Sequence, residues 1–177
     1  MNIRRAKPED AHALAIVHVA AWQTAYPGIV PHEHINRITV ERREPAFHKA
    51  LTEGSEETYL AEQGDSLLGF VTLGQCRDRD RTGSSSGEIW GIYVTPNEWR
   101  KGVGAALVTF AEQLMASRCF DDVTLWVLAE NTAARRFYVA LGYVLDGVTK
   151  DVELGVSLAC VRYWKQISKN RSTQFFE

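Results

Sequence analysis

The chain has 177 residues, 45% of them hydrophobic and 24% charged, with a formal net charge of −2. This balance is typical of one globular domain over 1–177 and argues against intrinsic disorder. Because proteins that bind phosphate backbones are usually basic, we expect no nucleic-acid partner. No apolar run approaches the roughly 20 residues that cross a bilayer, so we expect no membrane association and a cytoplasmic location.

Residue types that bind metals do not form a convincing ligand set. The run 32–34 (HEH) places two histidines around a glutamate, but no third ligand is evident. The cysteines are an odd number without CxxC spacing, which argues against a disulfide framework and a cysteine zinc site: Cys76, Cys119 and Cys160. We therefore expect no bound metal and interpret the cysteines as small buried thiols.

In chain order, the first third is predicted to be a short strand followed by helices. Asn2–Ala6 is predicted to be a strand, and apolar residues spaced three and four apart predict the first helix: Leu14, Val17 and Ala21. Pro27 and Gly28 end this helix. The pattern from Pro31 to Leu51 is helical again, in two pieces around Pro45.

From residue 58 the hydrophobic period changes to the alternation that is typical of strands. Thr58–Glu62 and Leu67–Leu73 predict a hairpin, and Glu88–Thr95 predicts a strong strand. The polar stretch Arg77–Gly87 is predicted to be a mobile loop. The remaining chain alternates helix and strand before two closing strands: Gly102–Cys119, Asp122–Leu128, Asn131–Leu141, Tyr143–Val148 and Val156–Gln166. This order predicts one α/β domain.

The loop that leads into the helix Gly102–Cys119 carries the first functional signal. At a helix N-terminus several backbone N–H groups have no intrahelical partner, and the helix dipole adds partial positive charge. In this loop Gly102 and Gly104 let a phosphate come close, and Arg100 and Lys101 add charge. Val103 and Ala105 complete the candidate site through their backbone N–H groups. The pattern is typical of an anion site, most simply for a pyrophosphate. A glycine-eased helix start without a ligand is the alternative.

A second signal follows the strand Asp122–Leu128, as the run Asn131–Tyr138 and then Leu141–Tyr143. Asn131 can cap the helix and Tyr138 can pack in the core, so structure alone could explain both residues. The run gains weight only from its combination with the glycine loop upstream.

Taken together, the two segments resemble the GNAT superfamily of N-acetyltransferases. The loop is similar to the family's acetyl-CoA motif Q/R-x-x-G-x-G/A, with Trp99 in place of the first Gln or Arg. The later run is similar to the family signature N-x-x-A-x-x-x-Y, followed by x-x-x-G-F/Y, at five positions: Asn131, Ala134, Tyr138, Gly142 and Tyr143.

The resemblance implies a fold and a cofactor. We expect the α/β GNAT fold, with a central, mixed, mostly antiparallel sheet of about seven strands and helices on both faces. A splayed strand pair, Glu88–Val94 and Asp122–Leu128, would hold acetyl-CoA. By resemblance, the cofactor contacts fall on the first strand, the glycine loop and the later signature: Ile92, Tyr93, Val94, Arg100, Lys101, Gly102, Val103, Gly104, Ala105, Asn131, Ala134 and Tyr138.

The resemblance also implies acetyl transfer from the CoA sulfur to a primary amine, directly within a ternary complex. By analogy Tyr138 is the general acid that protonates the leaving thiolate, or it serves in positioning alone. An ammonium cannot attack, so a base is needed, and Glu88 at the start of the cofactor strand is the candidate. Attraction of a cationic substrate by Glu88, or neither role, stays open. A backbone N–H near Val94 would meet the developing oxyanion.

The acceptor side is less defined. Trp22 and Tyr26 lie one helical turn apart and are candidates, with Glu88, to wall an amine pocket, although core packing also explains Trp22. The charged run Arg77–Arg81 is interpreted as solvated surface, or as a gate for the acceptor. We expect a small-molecule or peptide amine as acceptor. A protein N-terminus or lysine, or a non-catalytic acetyl-CoA sensor module, stays open. The tail 167–177 is expected to be a loose terminus or a homodimer contact.

Overall fold

The computed structural model describes residues 1–64, 66–81 and 85–167. Its N-terminal part contains β1 (Asn2–Arg5), α1 (Ala11–Ala25), α2 (His32–Asn36) and α3 (Val40–Glu53). The remaining elements follow in chain order: β2 (Glu57–Gln63), β3 (Ser66–Gln75), β4 (Ser86–Val94), α4 (Val103–Ser117), β5 (Asp122–Leu128), α5 (Thr132–Ala140), β6 (Val144–Glu153) and β7 (Ser157–Gln166). Each predicted strand and helix is present, with shifted ends.

The described strands form one seven-stranded sheet in the order β1-β2-β3-β4-β5-β7-β6. Its neighbouring strands are antiparallel except for β4 and β5, which are parallel. Alternation along β2 sends Tyr59 to the face covered by α4 and α5, and Leu60 to the face covered by α1 and α3. The predicted mixed, mostly antiparallel sheet with helices on both faces is confirmed.

The helical break is not where the sequence predicted it. The chain leaves helical structure between α2 and α3, and Pro45 lies inside α3. Pro45 lacks an N–H and so removes one backbone hydrogen bond, the bond to the Glu41 carbonyl one turn earlier. Glu41 is in the exposed first turn of the helix, where water can bind its carbonyl. The helix therefore continues through the proline.

Three other boundaries differ from the prediction. β4 begins at Ser86, so the end of the predicted loop Arg77–Gly87 belongs to a strand. The hairpin of β6 and β7 is longer than predicted because β6 continues to Glu153. The predicted loose tail begins at Ile167. In the structure this residue is buried, and its N–H donates a hydrogen bond to the Asp121 carbonyl. The rest of the predicted tail, 168–177, lies outside the described residues.

Candidate active site

The sheet opens between its two parallel strands. β4 and β5 are paired only over 86–89 and 122–125, although β4 continues to Val94 and β5 to Leu128. Over the same stretch β4 keeps its pairing with β3. The β5-facing edge of β4 can therefore offer main-chain groups to an extended ligand. The three residues predicted to pair with a cofactor arm lie on this open stretch: Ile92, Tyr93 and Val94.

The loop from β4 to α4 enters the helix through two left-handed residues. Arg100 has φ 62° and Gly102, which caps the helix, has φ 89°. Ala106 donates to the Gly102 carbonyl, so the N–H groups of residues 103–105 precede the helical hydrogen bonds. A Cβ added to Gly102 would meet no atom within 4 Å. The space before the helix is open, which fits the predicted anion site.

The second glycine of the loop has a packing role. A Cβ on Gly104 would lie 3.2 Å from Cζ of Phe137 on α5, so only glycine lets α5 pack this closely on the first turn of α4. Of the two basic residues, Lys101 pairs with Glu98 at 3.2 Å. Arg100 makes no salt bridge among the described residues and is the freer cation for an anionic ligand.

Trp99, which departs from the family motif, ties the loop to the end of β4. Its indole Nε1 donates to the Val94 carbonyl at 2.7 Å. Because the Val94 carbonyl already accepts the Trp99 hydrogen bond, a cofactor arm that pairs with Val94 would use the Val94 N–H. That N–H is the group expected to face the developing oxyanion.

Asn131 immediately precedes α5 and caps it: its side-chain oxygen accepts a hydrogen bond from the N–H of Ala134 at 3.1 Å. Asn131 and Ala134, two of the five residues of the later signature, therefore have a structural role. The cap fixes the start of the helix that carries Tyr138 into the core. Tyr138 is buried, and its ring centroid lies 5.9 Å from that of Tyr143.

The environment of Tyr138 keeps its hydroxyl protonated. Burial raises the pKa of Tyr138 well above its usual range, and the nearby phenols of Tyr26 and Tyr93 raise it further. Burial is also the main cause of the raised pKa of Tyr26. The structure thus brings three tyrosines together from α1, β4 and α5. A neutral phenol is the state that a proton donor needs.

Glu88 is held by one arginine. It is only 2% exposed, and its Oε2 accepts from the backbone N of Arg77 at 2.9 Å and from Nε at 3.3 Å. Its Oε1 accepts from Nη2 of Arg77 at 2.7 Å. The Arg77 guanidinium also lies 4.4 Å over the Trp90 ring. Because a carboxylate offers about four lone-pair sites, one site on Oε1 is left for a proton or a water.

Trp22 and Tyr26 form the predicted aromatic pair. Their ring centroids are 4.3 Å apart, and both pack against a buried cluster that includes Leu128 at the end of β5. The side-chain amide of Asn131 approaches the Tyr26 hydroxyl and opposes the rise in its pKa. The pair therefore reaches towards α5 and Tyr138. No hydrogen bond or ion pair joins Glu88 to either aromatic residue within the described ranges.

An ion cluster joins the segment 77–81 to β7. Arg162 is 2% exposed and donates to three carboxylates, at 2.8 Å to Asp78 and at 2.6 Å to Asp80 and to Asp146. Asp78 in turn accepts from Nε1 of Trp126 at 3.1 Å. The segment Arg77–Arg81 is largely exposed, as predicted for solvated surface, but its two aspartates also neutralise a buried cation, which the sequence did not predict.

Arg162 is absent from the sequence-predicted site residues. Its signal was available, since an arginine within the apolar run 158–164 (LACVRYW) indicates a buried charge that needs carboxylate partners. The run RDRDR contains two such carboxylates, but its spacing does not say which strand it contacts.

The described residues contain neither a candidate metal site nor a candidate membrane-spanning helix. In the described ranges, no group of three or more His, Cys, Asp or Glu side chains could hold a metal ion. His32–Asn36 forms α2, so the two histidines of that run lie on a helix. No helix among the same residues is long and apolar enough to cross a membrane.

Solved structures with the same fold are N-acetyltransferases. A GCN5-related N-acetyltransferase of Rhodopseudomonas palustris aligns with TM-score 0.75 and 23% identity, over 94% of this chain and 95% of that chain. The PaiA N-acetyltransferase of Thermoplasma acidophilum, solved with coenzyme A, aligns with TM-score 0.69 and 21% identity, over 93% and 98%. YncA of Salmonella typhimurium, solved with acetyl-CoA, has TM-score 0.70 and 18% identity, over 99% of both chains. This chain therefore shares the fold of these N-acetyltransferases.

Sequence comparison gives the family. Residues 18–143 match the model of the acetyltransferase (GNAT) family, and the chain therefore belongs to it. An uncharacterized N-acetyltransferase of Bacillus subtilis, YuaI, is 27% identical over 132 residues, covering 74% of this chain and 73% of the relative. The spermidine N(1)-acetyltransferase of Thermoplasma acidophilum is 24% identical over 151 residues, covering 82% and 89%. The resemblance drawn from the two motifs is confirmed.

Proposed function

We propose that this protein transfers an acetyl group from acetyl-CoA to a primary amine, directly within a ternary complex. One observation carries the proposal: β4 and β5 part beyond residues 89 and 125, and the helix that follows β5 buries the phenol of Tyr138 in the core. A proton donor beside an unpaired strand edge suits a reaction in which a thiolate leaves. Two relatives of the same fold were solved with coenzyme A or acetyl-CoA, which supports this choice of co-substrate.

The chain's own groups suit the two ends of the co-substrate. The free N–H groups at residues 103–105 and the guanidinium of Arg100 would bind the pyrophosphate. The main-chain groups of Ile92 and the N–H of Val94 face away from β3 and would pair with the pantetheine arm, whereas the Tyr93 carbonyl faces Gly69 of β3. Trp99 would support this pairing by fixing the end of the strand.

Tyr138 and Glu88 would handle the two protons of the reaction. A nitrogen–carbon bond forms as the carbon–sulfur bond breaks. The amine attacks in its neutral form and gives up one proton, which Glu88 takes at the remaining lone pair of Oε1 or through a bridging water. Tyr138 gives its proton to the sulfur, and solvent exchange then removes the proton from Glu88 and restores that of Tyr138 before the next turnover. The Val94 N–H would stabilise the developing oxyanion.

Initial-rate kinetics would test direct transfer. With acetyl-CoA and an amine varied together, a ternary complex gives intersecting double-reciprocal lines. Parallel lines would indicate a covalent acetyl-enzyme and contradict the proposal. Calorimetric titration with CoA, with wild-type protein and Gly102→Ala, would test the cradle separately. We expect weaker binding by the variant, because alanine disfavours the left-handed conformation of residue 102.

A further inference from the structure

Three buried polar atoms without a protein hydrogen-bond partner lie together between α1 and α3. They are three of the four such side-chain atoms in the described part of the chain: His18 Nδ1, Trp22 Nε1 and Arg43 Nε. Buried polar groups are normally hydrogen-bonded, so such a concentration indicates a place where a ligand or water supplies the partner.

The ring contacts show that the three residues are neighbours. The His18 ring centroid lies 6.0 Å from that of Trp22 and 4.5 Å from that of Tyr93. On its other side it lies 5.8 Å from Phe47, over which the Arg43 guanidinium packs at 4.9 Å. We call these residues the α1–α3 donor cluster: His18, Trp22, Arg43 and Tyr93.

The donor cluster lies beside the proposed active site. Tyr93 is on the open stretch of β4, and Trp22 stacks on Tyr26 towards α5. The Trp22 N–H approaches the Tyr93 hydroxyl and lowers its pKa against the effect of burial, but it makes no hydrogen bond of normal geometry there. Trp22 and Arg43 are each partly exposed as residues, although their Nε1 and Nε atoms are buried, so a ligand would reach these atoms by displacing the outer part of the Arg43 side chain.

The chemistry of the cluster is that of an oxyanion site. Indole and guanidinium nitrogens can only donate hydrogen bonds. Burial lowers the pKa of His18 to about 3, with a smaller contribution from the charge of Arg43, so the imidazole is neutral and carries one N–H. Arg43 forms no salt bridge within the described ranges. The other charge that acts on the cluster is Glu56, which affects Tyr93 less than Arg43 does.

We propose that the α1–α3 donor cluster binds a carboxylate of the amine acceptor, which makes the acceptor an amino acid or a short peptide. The inference rests on the proposed function, because it names the acceptor of that reaction. One cation and several N–H donors match the single charge and two oxygens of a carboxylate. A polyamine would instead bring a further cation to Arg43.

Matched pairs of substrates test the proposal. Thiol release from acetyl-CoA would be measured with α-amino acids, ω-amino acids and dipeptides, each beside its carboxamide, and with spermidine. We expect kcat/KM to fall about tenfold or more from acid to carboxamide, the usual effect of losing a charged hydrogen bond. Equal values for acid and carboxamide, or a preference for spermidine, would overturn the proposal.

Variants locate the effect. Arg43→Ala should raise KM for the acid about tenfold and raise KM for the carboxamide less, since the carboxamide loses only a neutral hydrogen bond. Trp22→Phe keeps the ring, removes the N–H and should cause a smaller loss of the same kind. Arg42→Ala, at an exposed neighbouring arginine, is the matched control. If Arg43→Ala changes acid and carboxamide no more than Arg42→Ala does, the cluster binds water only.

The outcomes separate the two proposals. If amines are acetylated without regard to a carboxylate, the donor cluster is not an acceptor site but the proposed function stands. If no amine releases thiol, the proposed function fails and the acceptor assignment fails with it.

Discussion

Arg77 donates three hydrogen bonds to the carboxylate of Glu88, from its backbone N, Nε and Nη2. The carboxylate is buried, but the arginine side chain is 58% exposed. Because Arg77 is adjacent to residues fixed by Arg162, the ion cluster on β7 also positions the partner of Glu88. The candidate base is thus oriented by a segment that the sequence did not connect to it.

Glu88→Gln tests the role of this carboxylate. As the general base, Glu88 should account for roughly 10² to 10⁴ in kcat, while CoA affinity stays unchanged. Glu53→Gln, at an exposed position of α3, is the control for the loss of one charge. A rise in KM alone would assign Glu88 to substrate attraction, and wild-type kinetics would exclude both roles.

Tyr138→Phe should lower kcat by roughly 10² to 10⁴ without weakening CoA binding, because only the proton donor is lost. Tyr143→Phe is the matched control, since it removes another buried hydroxyl that has no hydrogen-bond partner of normal geometry. The raised pKa of Tyr138 also means that its ionisation should not reduce kcat below about pH 10. Equal rates for the two variants would contradict the general-acid role.

Arg162→Met should destabilise the protein by about 3–5 kcal/mol, because it leaves buried carboxylates without their cation. Urea unfolding measures this loss. The freed segment 77–81 should also become a trypsin site in the native state. Asp80→Asn is the control, since that side chain is 55% exposed and Arg162 keeps its other two carboxylates, so the variant should lose less stability than Arg162→Met. A similar loss in both variants would argue against the buried cluster.

His18 makes stability depend on pH. Its pKa is about 3 in the folded protein, against about 6.5 when unfolded, so between these values the unfolded state takes up the proton. Stability should therefore fall as the pH falls below 6.5. Between pH 7 and pH 5 the wild type should lose about 2 kcal/mol more than His18→Leu does, as measured by urea unfolding. Parallel pH profiles would show that His18 is not held neutral.

The elements could be predicted from the sequence because they depend on local signals, whereas the opening of the sheet was predicted only from the resemblance to the GNAT superfamily. The alternation in β4 and the glycines before α4 are visible in the chain, and the two motifs identified the family. Pro45 misled the prediction, since its cost depends on whether the carbonyl one turn earlier can bind water.

The contacts of the site could not be predicted because they join distant segments. Arg77 and Glu88 are eleven residues apart, and Arg162 and Asp78 are eighty-four apart, so only the folded sheet brings them together. The same is true of His18 on α1, which contacts Phe47 of α3 only after the two helices pack. Trp99 is visible in the sequence as a departure from the motif, but its hydrogen bond to the Val94 carbonyl is visible only in the folded protein.

The most direct test of the account is the amine-dependent release of thiol from acetyl-CoA by the wild-type protein. We predict that free CoA appears in equal amount to acetylated amine, and that release without an amine stays at the level of buffer. Acetyl-CoA binding without release in the presence of any amine class would contradict catalysis and favour a sensor module. An absence of acetyl-CoA binding would contradict the cleft itself.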